Sequence, residues 1–193
     1  MNKEQEIVQK IKALAKTKKN FRVFWENFVF SDEKYFYKIP NFTGKMIFYK
    51  DINSYDALKN NFNLIKEFFW EHSIIAETDI LKDWKQYIIK QKKIKGEILK
   101  IKDLQKKEKL KKSFSKIMKQ NQKMWEKHWV YLDILGTDFI LDPRKVHNIM
   151  TDWENLFLFD FWVINKNATD PTIKIINKFL YKLQKEVIKK LKL

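Results

Sequence analysis

The 193-residue chain contains no cysteine, which excludes disulfides, thiolate nucleophiles and cysteine-based zinc ribbons. Its three glycines, Gly44, Gly96 and Gly136, are too few and too scattered for a glycine-rich phosphate loop. The three prolines, Pro40, Pro143 and Pro171, each fall in a polar, turn-like stretch. No apolar run approaches the ~20 residues of a transmembrane helix, so no membrane partner is expected. The first twenty residues lack the apolar region of a signal peptide, and Glu4 and Glu6 argue against a transit peptide. The protein is therefore expected to act where it is made.

What the chain has in excess is positive charge. Forty Lys and Arg stand against 24 Asp and Glu, a net charge of +16, which favours nucleic acid or an anionic membrane as partner. The 16 Phe, 7 Trp and 7 Tyr supply ample material for burial and stacking. A chain dominated by Lys, Asn, Ile and Phe is also what AT-rich coding produces, as in mitochondrial or mycoplasma-like genomes. The charge nevertheless reads as functional because it is clustered. Residues 90–119 hold thirteen lysines against Glu97, Asp103 and Glu108.

In chain order, residues 3–19 read as an amphipathic helix with Ile7, Val8, Ile11 and Leu14 on one side. Residues 21–42 are crowded with aromatics, and both hairpin and loop fit them. Residues 44–49 read as a strand. A helix capped by Asp51 or Ser54 then runs to about Trp70, followed by a short strand at 73–76. Thr78 or Asp79 is read as the cap of a helix containing Leu81, Trp84, Ile88 and Ile89. Apolar residues at 3–4 spacing (Ile94, Ile98, Ile101; Leu110, Phe114, Ile117) predict two antiparallel helices forming a basic hairpin. Residues 172–193 read as a closing helix with Ile175, Ile176, Phe179, Leu180, Leu183 and Val187 inward.

Residues 133–171 organise this layout. Two apolar runs, 138–141 and 156–164, are closed by Asp142-Pro143-Arg144-Lys145 and by an Asn-rich stretch ending Asp170-Pro171. Residues 143–154, of helical length, lie between them. Continuous apolar runs suit strands buried on both faces, and strand–helix–strand is the usual parallel crossover. The expected fold is α/β: a doubly wound parallel sheet with an inserted antiparallel helical (coiled-coil) hairpin. The expected segments are 1–43 (helix and aromatic-rich extension), 44–89 (first part of the α/β domain), 90–127 (hairpin) and 128–193 (second part).

Residues 137–147, Thr-Asp-Phe-Ile-Leu-Asp-Pro-Arg-Lys-Val-His, resemble the strand and Asp-Pro-Arg-Lys turn of the family of small-ribosomal-subunit protein number two. Asn167 and Asp170-Pro171 resemble that family's Asp-Thr-Asn and following Asp-Pro, and Asp83-Trp84-Lys85 its Asn-Trp-Lys. The family's Gly-His-rich segment and its Ile-Pro-Gly-Asn-Asp stretch are not recognisable. The resemblance implies a doubly wound sheet with a protruding helical hairpin, and a structural role on the small subunit with rRNA and neighbouring ribosomal proteins as partners. With the AT-rich composition, it implies a mitochondrially encoded form in the mitochondrial ribosome; the alternative setting is the cytoplasm of an AT-rich bacterium.

The residues expected to meet RNA are Arg144, Lys145, Lys92, Lys93, Lys95, Lys106, Lys107, Lys109, Lys111 and Lys112. Lysine without much arginine implies phosphate neutralisation rather than bidentate base reading. Asp142 is read as the cap of the helix that follows it. Asp138 and Asp142 also loosely resemble a magnesium nuclease pair, the alternative reading being a metal-dependent α/β enzyme. His72, His128 and His147 share no ligand spacing. No catalytic residue, cofactor, metal or small-molecule substrate is expected.

Overall fold

The computed structural model of the chain describes residues 3–17, 22–23, 27–41, 55–70, 74–84, 86–136, 139, 141–161, 163–166 and 171–190. They fall into two compact units, residues 1–60 with 76–93 and residues 61–75 with 94–193. The expected strand at 44–49, the caps Asp51 and Ser54, and Asp138 lie outside the described residues.

The first unit holds α1 (Lys3–Thr17), β1 (Arg22–Val23), β2 (Asn27–Ser31), β3 (Tyr35–Pro40), the start of α2 (Tyr55–Phe69), and, after β4 (Ile74–Ile75) of the second unit, β5 (Thr78–Asp83) and β6 (Gln86–Lys92). Its sheet has the order β1-β2-β3-β6-β5 and is antiparallel throughout. The aromatic-rich segment resolves into a hairpin because Asp32 closes its turn. The Asp32 carboxylate accepts from the backbone N–H groups of Lys34 (2.8 Å) and Tyr35 (2.7 Å), and from the Tyr37 hydroxyl (2.6 Å). That register sets Phe30 opposite Tyr37, their rings stacked at 5.1 Å. Val8 and Ile11 of α1 pack on this face with Phe30, Tyr37, Leu81 and Ile88, each buried aliphatic contributing about 1.5–3 kcal/mol. Glu4 accepts the Lys82 backbone N–H (2.8 Å), so α1 also covers an open donor of the edge strand β5.

No helix spans Leu81 to Ile89. The segment is the β5–β6 hairpin, with Trp84 at its tip in the left-handed region (φ 59°) and almost fully exposed. Tyr87, Ile88 and Ile89 are consecutive and all buried, so β6 is covered on both faces. Such a run, spaced from Ile80 and Leu81 across the turn, imitates helical periodicity.

The second unit holds the rest of α2, β4, β7 (Glu97–Lys100), α3 (Ile101–Lys106), α4 (Glu108–His128), β8 (Val130–Leu132), β9 (Lys145–Thr151), β10 (Leu156–Leu158), β11 (Val163–Asn165) and α5 (Pro171–Lys190). One sheet has the order β4-β10-β9-β7, and β8 pairs with β11. Among the described pairings only β4 with β10 is parallel. The expected doubly wound parallel sheet with an inserted antiparallel helical hairpin is therefore overturned: both units are built on mainly antiparallel sheets.

Two local effects account for the difference. The predicted helix at 143–154 is strand β9, whose Val146, Ile149 and Thr151 are fully buried. It turns directly back into β10 because the Asp152 carboxylate accepts from the N–H groups of Glu154 (3.0 Å) and Asn155 (2.7 Å). Of the predicted strand at 138–141, the two described residues are not in a strand. Phe139 lies in a 3₁₀ turn and Leu141 in an exposed turn. The first arm of the hairpin is likewise a strand end and a strand, with only the six-residue α3 before α4. Leu99, not Ile94 or Ile98, is the buried residue there. Gly96 permits the close approach of β7 to β9, since a Cβ at that position would sit 2.6 Å from the Thr151 carbonyl oxygen.

The closing helix is found where expected, but its buried face is turned. Leu180 is buried beside the polar Asn177 and Gln184, whereas Ile175 (72%) and Phe179 (54%) are exposed. The polar pair fixes this orientation. Gln184 accepts from the Ile134 N–H (3.3 Å) and donates to Asp133 (2.8 Å), and Asn177 donates to the Asn165 carbonyl (2.9 Å).

Candidate nucleic-acid interface

Helix α4 is uninterrupted by glycine or proline and buries Leu110, Phe114, Ile117, Asn121 and Met124 along one stripe. Asn121 is fully buried and acts as a backbone surrogate: its carboxamide accepts from the Leu132 N–H (2.7 Å) and donates to the Leu132 carbonyl (2.8 Å). This locks α4 to β8 in rotation. The opposite face then presents Lys109, Lys112, Lys116, Lys119 and Lys123, all exposed. Their spacings of 3, 4, 3 and 4 keep them on one side, a ridge about 21 Å long at 1.5 Å per residue. None of the five pairs with a carboxylate among the described residues.

A second ridge runs along α5. Lys174, Lys178, Lys182, Lys185 and Lys189 are exposed, spaced 4, 4, 3 and 4, and share no ion pair with a described acid. The two helices meet through Trp125 and Tyr181, whose rings stack at 4.4 Å, with Tyr131 edge-on to Tyr181 at 5.3 Å. Each ridge helix carries a net charge of +5 over its length, seven lysines against two acids in α4 and six against one in α5. Unpaired ammonium groups at one-turn intervals are suited to displacing counterions from a phosphate backbone.

The residues expected from sequence divide into several roles. Lys109 and Lys112 belong to the α4 ridge, and Lys111 is half-buried beside it. Lys106 is exposed at the end of α3, and Lys107 lies with its ammonium 4.5 Å from the Trp153 ring centroid. Lys95 is exposed in a bend before β7. Lys92 and Lys93 belong to the other unit, Lys92 bound to Glu77 (2.8 Å) and Lys93 over Phe36 (5.3 Å).

Asp142 caps no helix. Its carboxylate closes a turn before β9, bound to Arg144 Nε (2.8 Å) and Lys145 Nζ (2.9 Å), and the hydrogen bond from Arg144 holds it well below the usual carboxylate range. Both oxygens are thus engaged, leaving Asp142 poorly placed as a metal ligand, and no group of three or more His, Asp or Glu among the described residues is arranged to hold a metal ion. Arg144 remains largely exposed.

The chain matches no family model, no curated protein and no solved structure. The interface is therefore defined by its own residues. Sequence reasoning missed Lys116, Lys119 and Lys123 as site residues, and the whole α5 ridge. The signal is present as lysine at i, i+3, i+7 against an apolar stripe, whereas lysine density alone points to 90–112.

Proposed function

We propose that the protein is a non-enzymatic RNA-binding protein with a structural role in a ribonucleoprotein particle, and that it neutralises RNA phosphates with the α4 and α5 ridges. The observation that carries this reading is the row of five exposed lysines on α4 that pair with no acid among the described residues. Ridges built of lysine, with no arginine in α4 or α5, favour positioning on a backbone over base reading. The motif resemblance at 137–147 points to the small ribosomal subunit as the particle, and the AT-rich composition to a mitochondrion as its setting. That part of the proposal rests on sequence alone, because the family's expected fold is not the one found and none of its RNA contacts is carried over.

Gradient sedimentation of native extract tests the proposal. At about 50–100 mM salt the protein should travel with the small-subunit peak, and at several-fold higher salt it should move to the top of the gradient. Recovery only at the top at both salt concentrations would refute the ribosomal assignment.

A further inference from the structure

Beside the C-terminal half of the α4 ridge lies an open cleft of about 740 Å³, lined by α2 and its last turn (Glu67, Phe68, Trp70) and by α4 (Gln120, Lys123, Glu126, Lys127). All of these residues belong to the second unit. Trp70 is 75% exposed, although its backbone N–H still bonds to the Lys66 carbonyl (3.2 Å) and fixes it to the end of α2. Its indole has no aromatic or cationic partner among the described residues. This separates it from Trp129 and Trp153, whose rings are covered by Lys166 (3.6 Å) and Lys107 (4.5 Å). Phe68 is held edge-on by His128 at 5.6 Å, with Lys127 5.7 Å from its centroid.

The charges around the cleft are partly neutralised. Glu67 lies 3.5 Å from Lys127, whereas Glu126 keeps its charge and accepts from the neutral Gln122 carboxamide (2.9 Å). Among the described residues Lys123 is the lining cation without an ion pair, and it is also the last residue of the α4 ridge. A free indole face one helix away from a line of phosphate-binding lysines combines the two parts of a single-strand site: a cationic track for the backbone and a platform for a base. An unpaired nucleobase can enter such a cleft, whereas a base inside a duplex is already stacked on both faces and cannot reach it.

We propose that this cleft takes an unpaired base of a single-stranded RNA segment by stacking on Trp70, while Lys123 and the α4 ridge hold the adjoining phosphates. The inference rests on the RNA-binding reading and adds the class of RNA: single-stranded in preference to helical.

Fluorescence anisotropy with the full chain tests it, using labelled oligouridine and an RNA duplex of about 12 nucleotides or base pairs. The expected effect of Trp70→Ala is roughly tenfold weaker single-strand binding with unchanged duplex binding, and Trp70→Phe should restore most of the loss. Equal weakening of both RNAs, or of neither, overturns the cleft. Lys116→Gln with Lys119→Gln should weaken both RNAs. If it does so while Trp70→Ala is silent, the cleft falls and the ridge stands. If the unmodified protein binds neither RNA, the RNA-binding reading itself falls. Circular dichroism of each variant verifies folding, which substitution of so exposed a side chain leaves intact.

Discussion

The α4 ridge gives a quantitative expectation for salt. Five lysines each neutralising one phosphate of a single strand release about 0.7 counterion apiece, so the ridge alone contributes roughly 3.5 to the slope of log K against log salt. Replacing Lys112, Lys116 and Lys119 by Gln should lower that slope by about 2. Glutamine has nearly the same helix propensity as lysine, and all three side chains are exposed, so the helix is retained. Between 50 and 200 mM salt, a slope lower by 2 makes the loss of affinity about 15-fold smaller than in the unmodified protein. The measurement is a set of binding isotherms at four or five salt concentrations. The control replaces Lys3, Lys10 and Lys16, equally exposed on α1 in the other unit, and removes the same net charge. An unchanged slope in the α4 variant would refute the ridge. Equal reductions in both variants would show that binding follows total charge and not its arrangement.

Two further outcomes concern the frame that aims the ridge. Asn121→Ala removes both partners of the buried Leu132 peptide groups and should cost about 2–5 kcal/mol, read as a lower urea midpoint; a loss below about 1 kcal/mol would contradict the surrogate role. Burial pushes the Asp133 carboxyl up to about 7, against the lowering effect of its bond from Gly136 and with the Asp160 charge adding to the rise. Because the folded state holds this proton above the unfolded pKa of 3.8, its stabilising contribution is full below that value and is lost as pH rises through about 7. Stability measured by denaturant melts should accordingly fall by roughly 2–3 kcal/mol from pH 5 to pH 8, and Asp133→Asn should flatten that fall.

The parts of the fold legible in the sequence were those with long, one-sided periodicity. Helices α1, α4 and α5 lie close to where apolar spacing puts them, and the aromatic-rich segment was readable as a hairpin or loop. The strand assignments between them fared worse because short apolar runs carry no direction. Residues 145–151 and 80–89 fit a helical template and a strand template equally, and tertiary pairing selects the strand. Parallel against antiparallel was decided by turns. Asp32 and Asp152 each fold their carboxylate onto the next N–H groups and send the chain straight back, so no crossover helix is needed. The buried face of α5 was illegible for another reason: Asn177 and Gln184 are polar residues whose burial makes sense only once the Asn165 carbonyl of β11 and the Ile134 N–H just after β8 are beside them.

Glycine scarcity ties the turns to the basic surface. Trp84, Trp129 and Trp153 adopt positive φ (59°, 59° and 77°), a conformation that costs a non-glycine residue about 1–2 kcal/mol. Tryptophan is an unexpected occupant, which is why no turn signal marked these positions. At two of them the cost is offset by a lysine over the ring, Lys166 at Trp129 and Lys107 at Trp153, contacts worth about 0.5–2 kcal/mol each. Trp129 also ends α4, its N–H bonded to the Trp125 carbonyl (2.9 Å), so this cap sets where the helix that carries the lysine ridge stops. The consequence is a division among the cations. Lys107, Lys166, Lys92 and Lys145 are engaged in holding turns and strands in place, and neutralising one of them should alter stability before affinity. Lys127 and Lys185 are likewise engaged, with Glu67 and with the Tyr181 ring. The five ridge lysines of α4 have no such contact among the described residues, so their charge is available to a phosphate chain, and it is there that affinity and stability should separate.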